Sequence, residues 1–288
     1  MKIDAYLVNS FTKNGTGGNP AGVVLDAEKL SNQEKLAIAK AVGYSETAFV
    51  CCDDEVDFNV SFFTVTEEVD FCGHATLAVF STLFQQGIIA QGEYVQRTKA
   101  GLLTVAIEPN GHIVMEQKLP EYLGSYEYEK IAELIGINAA TLESTQLPIE
   151  VVSTGLHDMI VPVPRGYLDQ LQVNEPLLTE FCKRHGIIGI HAFELCEKDS
   201  ELTASCRNFA PLVGIPEESA TGSASGALAC YLTKHLGDKR PKSFVFEQGR
   251  AMDCVSIITA SVELNGKDIC QVKVGGFAHE IGVQEVIL

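Results

Sequence analysis

Basic residues are scarce in this chain: 21 Lys and Arg stand against 38 Asp and Glu, a net charge of -17 over 288 residues. A nucleic acid or an anionic membrane surface needs a basic patch, and this balance offers none, so neither is expected as a partner. The CxxC spacing is missing as well. The nine cysteines are odd in number and scattered, apart from the adjacent pair Cys51-Cys52. That pattern suggests neither a zinc site nor a disulfide framework; reduced thiols and a cytoplasmic location are the simplest expectation. No apolar run reaches membrane-spanning length, and Met1-Lys2-Ile3-Asp4-Ala5 carries no signal-peptide pattern. The glycine-rich stretch Asn14-Gly15-Thr16-Gly17-Gly18-Asn19-Pro20 is not followed by Gly-Lys-Ser/Thr, so it is no phosphate loop.

Apolar residues, by contrast, are plentiful. At 46% hydrophobic, 288 residues bury a large core and predict two domains. The most informative stretch is Phe71-Cys72-Gly73-His74-Ala75-Thr76-Leu77-Ala78. The run behind it, from Leu77 to Phe84, is apolar nearly all round. A helix without a polar face threads a core. Its first turn then presents unpaired backbone N–H groups and a positive dipole end inside the protein, which suits a carboxylate or an enolate. Cys72, Gly73 and His74 stand at that point.

The second half repeats the arrangement. Phe63-Thr64-Val65 leads through an acidic loop to Gly73, and Phe209-Ala210-Pro211 leads through a similar loop, longer by three residues, to Gly222-Ser223-Ala224-Ser225-Gly226-Ala227. Such internal similarity predicts a duplication: two related lobes whose buried helix starts face one cleft. In the second copy Glu217 and Glu218 precede the helix, and Gly222 leaves its backbone N–H groups open to an anion. Ordinary capping by Thr221 and Ser223 is the alternative reading of those hydroxyls.

Along the chain, residues 3–8 and 21–25 read as strands, with the glycine-rich turn between them. Ser31-Asn32-Gln33-Glu34 is a capping box that opens a helix to about Val42, and Gly43 ends it. Glu46 stands at the entrance of the apolar strand 45–52. Burial there predicts a carboxyl pKa raised toward the acid/base range, and a solvated strand-end Glu is the alternative. Residues 56–64 alternate as a strand. Residues 98–107 and 111–117 read as a hairpin, 127–134 and 175–185 as helices, and 151–164 as a strand system. His157 and Asp158 are neighbours there; side chains of adjacent strand residues diverge, so a loop or turn role is expected for them rather than a catalytic pair. One lobe is expected at 1–118, with Glu46 and Cys72-Gly73-His74, and the other at 119–280, with Glu218 to Ser223. The strand 281–288 is expected to return to the first lobe.

Four short motifs in order, Gly18-Asn19-Pro20-Ala21, Ser45-Glu46-Thr47, Phe71-Cys72-Gly73-His74-Ala75-Thr76-Leu77-Ala78 and Glu217-Glu218-Ser219-Ala220-Thr221-Gly222-Ser223-Ala224, resemble the phenazine-biosynthesis (PhzF-like) isomerases. The likeness runs the whole chain, through Glu247-Gln248-Gly249 and Val274-Gly275-Gly276. It implies an α+β fold of the diaminopimelate epimerase type, with two pseudo-symmetric lobes, each a β-barrel around a central buried helix. It also implies a homodimer, a small carboxylate-bearing metabolite as substrate, and no metal or organic cofactor. Carried over residue by residue, the family's acid/base glutamate falls on Glu46 and its histidine on His74. Its substrate-binding positions include Asn19, Cys72, Gly73, Gly222 and Ser223.

The chain departs from the family at several places. The second-lobe carboxylate, usually Asp before Pro, is Glu218 before Ser219. Val65 and Ser61 replace a usual proline and a usual basic residue, and Met252-Asp253-Cys254-Val255-Ser256 replaces Gly-Arg-Pro-Ser. In the related two-thiol epimerases a first thiol stands where Cys72 does, and a second where Ser219 does. The expected chemistry is therefore a proton shift by Glu46, serving as base and then as acid. A racemase or dehydratase using Cys72 and a catalytically silent binding module are the alternatives.

Overall fold

The computed structural model describes residues 1–237 and 243–288. Among these it has eighteen strands and six α-helices, in two compact units: Met1–Glu116 with Gly275–Leu288, and Gln117–Val274. The sequence expectation set the division two residues later and began the returning segment at 281. No helix of the described residues is long and apolar enough to cross a membrane.

The first unit runs β1 (Lys2–Ser10), β2 (Asn19–Val24), α1 (Asn32–Val42), β3 (Thr47–Cys51), β4 (Phe58–Phe63), β5 (Glu68–Val69), α2 (Gly73–Gln85), β6 (Gly92–Thr98), β7 (Gly101–Ile107) and β8 (Ile113–Gln117). The second runs β9 (Glu121–Tyr126), α3 (Tyr128–Ile135), α4 (Ala139–Glu143), β10 (Ile149–Ser153), β11 (His157–Pro162), α5 (Glu175–His185), β12 (Gly189–Leu195), β13 (Ala204–Ala210), β14 (Ile215–Glu218), α6 (Gly222–Leu236), β15 (Ser243–Gln248), β16 (Ser256–Asn265) and β17 (Asp268–Gly276). β18 (Ala278–Ile287) then pairs antiparallel with β1.

Strand pairing makes the duplication explicit. In the first unit β1 pairs antiparallel with β2, β2 parallel with β3, β3 antiparallel with β4, β4 antiparallel with β5 and parallel with β6, and β6 antiparallel with β7. In the second, β10 to β16 repeat that order and those directions strand for strand. β9 pairs antiparallel with β10 just as β18 pairs with β1. Each repeat thus begins one strand earlier than its helix-bearing part, and the first repeat takes that strand from the far end of the chain. The extra residues of the second acidic loop form a 3-10 turn at Pro211–Val213.

Local chemistry accounts for the helices. α1 has the reciprocal Ser31–Glu34 capping box and ends on Gly43 at φ 77°. α5 is capped by Asn174, carries a proline in its first turn and ends on Gly186 at φ 66°. α2 is buried from His74 to Leu83 without interruption. Its hydroxyls are satisfied within the helix, Thr76 donating to Cys72 C=O and Thr82 to Ala78 C=O, both at 2.9 Å. Leu77, Val79, Phe80 and Leu83, all 2% exposed or less, each contribute about 1.5–3 kcal/mol by leaving water. α6 is buried in the same manner from Ala224 to Leu232.

Three expectations shift. His157 and Asp158 open strand β11 rather than a loop, because residues 157–162 pair with both β10 and β12. Thr98 closes β6, and the hairpin partner of 113–117 starts only at Gly101. The helix expected over 127–134 is offset by one residue, with Glu127 as its N-cap.

Candidate active site

The start of α2 brings together four residues from three elements. Cys72 is the N-cap, in extended conformation, and makes no side-chain capping bond. His74 is 6% exposed, and its carbonyl accepts a 2.6 Å hydrogen bond from the Ser10 hydroxyl of β1. Its Nε2 lies 3.2 Å from Oε2 of Glu46, the residue before β3. Its Nδ1 lies 3.3 Å from Nδ2 of Asn19, the first residue of β2. Cys72 Sγ sits 3.4 Å from Nδ1 and 3.9 Å from Nε2, near-equal distances that place the thiol over the ring face, away from the ring's lone pairs. An Asn19 N–H donating to Nδ1 fixes the imidazole proton on Nε2, on the side of Glu46, whose Oε2 at 3.2 Å makes a charge contact rather than an aligned hydrogen bond. Turning the amide to present Oδ1 accommodates the imidazolium.

Electrostatics corrects one expectation. Burial works to raise the Glu46 carboxyl, but the hydrogen bond and charge of His74 outweigh it, and the pKa falls below its ordinary value. Burial likewise works to lower His74, yet the Cys72 sulfur and the Glu46 carboxylate carry it well above the usual imidazole range. The Cys72 thiol is pushed up, chiefly by burial. Glu46 therefore rests as a carboxylate, ready to take a proton, and Cys72 as a thiol. Backbone support is close: the Gly22 N–H donates to the Glu46 carbonyl at 3.1 Å.

At the start of α6 the N-cap Thr221 does not cap with its side chain; its hydroxyl goes to the Glu218 carboxylate instead. Gln248, the last residue of β15, organises the loop. Its Oε1 accepts from Thr221 N–H at 3.1 Å, and its Nε2 donates to the Glu218 carbonyl at 2.7 Å. Gly222 is buried and Ser223 half-buried, and the Ser223 carbonyl accepts from the Thr154 hydroxyl at 3.1 Å. Capping thus leaves the Thr221 hydroxyl unexplained, whereas holding Glu218 against the helix start explains it.

Sequence reasoning missed Gln248 as a functional side chain, and also a buried polar group on β11 and β12. Asp158 is 2% exposed, with Oδ2 unpartnered. His191 is fully buried and takes the Asn208 amide at 3.2 Å on Nδ1. The signal was present in the alternation of the strand: Met159 and Val161 face the apolar cluster under α3 and α5, so Asp158 points to the opposite face. Burial, then the charge of Glu218, pushes the Asp158 carboxyl well above its ordinary value, and burial takes His191 down to about 3.

The sign of the stability effect follows from the Asp158 shift. A carboxyl whose folded pKa is raised binds more protons folded than unfolded. Stability therefore falls as pH rises from the unfolded value of about 3.9 through the folded one. Asp158→Asn removes that loss. Its melting temperature is expected to exceed that of the wild type by a few degrees at pH 8, and the gain should vanish toward pH 4. Parallel melts across that range check it; a constant offset would mean that Asp158 does not hold its proton.

As for metals, the ligand atoms of Glu46, Cys72 and His74 lie within 4.8 Å of one another.

Residues 8–281 match the family model described as phenazine biosynthesis-like protein. An uncharacterized isomerase of Clostridium acetobutylicum is 33% identical over 300 residues, covering 100% of this chain and 99% of that one. The uncharacterized isomerase YddE of Escherichia coli is 31% identical over 287 residues, covering 96% of each. Among solved structures, a Bacillus anthracis protein of the PhzF family aligns with a TM-score of 0.90 at 28% identity, covering 100% of both chains. A hydroxyproline epimerase of Agrobacterium vitis aligns with a TM-score of 0.62 at 12% identity, covering 100% of this chain and 93% of that one, a likeness of fold alone. Matched along nearly its whole length, the chain belongs to the phenazine biosynthesis-like (PhzF) family and is an isomerase with that family's α+β fold.

Proposed function

We propose that the chain moves a proton within a small carboxylate-bearing metabolite without an organic cofactor, with Glu46 as the proton carrier. The observation that carries this reading is the Glu46–His74 contact of 3.2 Å beside the start of a buried helix. An ionised carboxylate there takes a proton from a carbon activated by a carbonyl or by conjugation. The protonated Glu46 then returns it to another carbon on the same face, so that no atom is gained or lost. His74 holds the carboxylate in position, and the backbone N–H groups at Gly73 stabilise the developing enolate. In the same reading Gly222 and Ser223 bind the substrate carboxylate, and Glu218 assists at the second helix start. The protein would act as a homodimer in the cytoplasm; a mass of one 31.1 kDa chain in solution would remove the dimer from this reading.

A thermal-shift screen of small carboxylates, followed by solvent-deuterium incorporation into the hits, tests the reading. Gly73 sharpens it. A Cβ built there meets nothing closer than the Phe71 ring at 4.0 Å, so packing does not demand glycine. Gly73→Ala should leave the melting temperature unchanged or raise it slightly, by about 0.4–1 kcal/mol, while ligand affinity falls at least tenfold because the methyl stands before the N–H groups. Unaltered affinity in that variant would move the substrate away from α2.

A further inference from the structure

The two repeats set polar residues at matching strand positions beside the start of each buried helix. β2 runs parallel to β3 with Gly22 opposite Thr47, and the Gly22 N–H donates to the Glu46 carbonyl at 3.1 Å. Glu46 therefore stands beside Ala21, two residues past Asn19. β11 runs parallel to β12 with Ile160 opposite His191, so His191 stands two residues past Asp158 in the same sense. The faces agree as well. Met159 and Val161 lie in the outer apolar cluster, which turns Asp158 inward. Phe193 packs on Tyr231 of α6 at 5.7 Å between ring centroids, which turns His191 inward. By register and face, Asp158 is the counterpart of Asn19, and His191 that of Glu46. An asparagine amide meets the imidazole Nδ1 in both repeats, Asn19 at His74 and Asn208 at His191. The turn before β11 is also tied to the first turn of α6, where the Thr154 hydroxyl donates to the Ser223 carbonyl.

We propose that Asp158 is a substrate-binding residue at the start of α6, an un-ionised carboxyl that donates a hydrogen bond to the substrate carboxylate held by Gly222 and Ser223. This rests on the reading of that helix start given above. The two matched positions sit in surroundings that set opposite protonation. In the first lobe His74, carried above the usual imidazole range, keeps Glu46 a carboxylate. In the second, burial holds the His191 imidazole neutral. The titratable groups that bear on Asp158 are Glu218 on β14, His191 on β12 and the Cys182 thiol of α5, and none of them is a cation. The Arg207 guanidinium of the same loop is engaged by both oxygens of Glu217, at 2.8 and 2.7 Å. Asp158 therefore keeps its proton. It is 2% exposed with Oδ2 unpartnered, so it has an O–H to give. A carboxylate arriving at Gly222, beside Glu218, then meets a donor there instead of a second negative charge. Carboxyls pushed apart in this way divide the work: Glu46 is the base and Asp158 the hydrogen-bond donor. No bond is made or broken at Asp158, and its proton stays.

Malonate, titrated by calorimetry into the full chain at roughly pH 6 and pH 9, tests the assignment. Wild-type affinity should fall about tenfold or more between the two, because an ionised Asp158 has no donor and repels the ligand. Asp158→Ala should weaken binding about tenfold at the lower pH by losing the donor. Asp158→Asn should recover most of that loss through its amide N–H and should respond little to pH. A merely structural Asp158 would leave the asparagine variant with the pH response of the wild type, and that result overturns the proposal. Wild-type affinity in Asp158→Ala does the same; should the alanine variant fail to fold, the asparagine comparison alone decides. Gly222→Val separates the two claims. Malonate binding that survives the valine, or that is missing from the wild type, sinks the reading of the helix start and this proposal with it. Binding abolished by the valine but indifferent to Asp158 sinks the proposal alone.

Discussion

Glu46→Gln is expected to slow deuterium exchange into a bound carboxylate substrate by roughly 100-fold or more, the range set by removing a positioned acid/base. Affinity should stay within a few-fold, since the carboxamide keeps the shape and the packing against His74 Nε2. Cys72→Ala should cost less than about tenfold, because burial chiefly pushes that thiol up and keeps it protonated. A thiol mechanism reverses the order, and adds inactivation by iodoacetamide that bound substrate prevents. His74→Asn should fall between the two, because it unseats the carboxylate without removing it. Exchange rates of the three variants on one substrate, measured with ligand affinity by titration, decide the matter: near-wild-type exchange in the glutamine variant ends the assignment.

How much of this was written in the sequence differs by element. α1 and α5 were legible to the residue or nearly so because their ends are set by local chemistry, the Ser31–Glu34 box and Gly43 in one, Asn174 and Gly186 in the other. The buried helix α2 was legible from its lack of a polar face. The pairing of Glu46 with His74 was not, since 28 positions separate them and only tertiary structure sets the charge beside a carboxylate. Burial could be read from the apolar strand after Glu46, and burial alone gave the wrong direction of shift. His157 and Asp158 were misjudged for a related reason. Divergence of adjacent side chains correctly ruled out their pairing with each other, but it does not rule out a strand whose acid faces inward. The first strand of each repeat, β9 in one and the returning β18 in the other, carries no motif, so the sequence could show two helix starts without showing where each repeat begins.

Gly249→Ala is expected to destabilise the protein by roughly 3 kcal/mol or more, lowering the melting temperature on the order of 10 °C. The glycine sits at φ 83°, where a side chain costs about 1–2 kcal/mol. A Cβ there would also stand 2.2 Å from the Cys254 carbonyl oxygen and 2.9 Å from that of Ser219. Both are backbone atoms, and the Gly249 carbonyl is itself tied to the Met252 and Cys254 N–H groups at 3.0 and 3.1 Å, so the turn has no cheap way to give. Gly186→Ala isolates the two contributions: it shares the left-handed conformation, at φ 66°, but its Cβ meets nothing within 4 Å. That control should lose only the 1–2 kcal/mol of conformation, and the excess in Gly249→Ala measures the collision. Displacement of this turn drags Gln248, the residue that holds both Thr221 N–H and the Glu218 carbonyl at the start of α6. Substrate affinity in Gly249→Ala, measured well below its melting temperature, should therefore fall as well, whereas Gly186→Ala should bind normally. Equal melting of the two variants would mean that the turn relaxes freely, and Gln248 would then lose its role as the rigid support of the Glu218 loop.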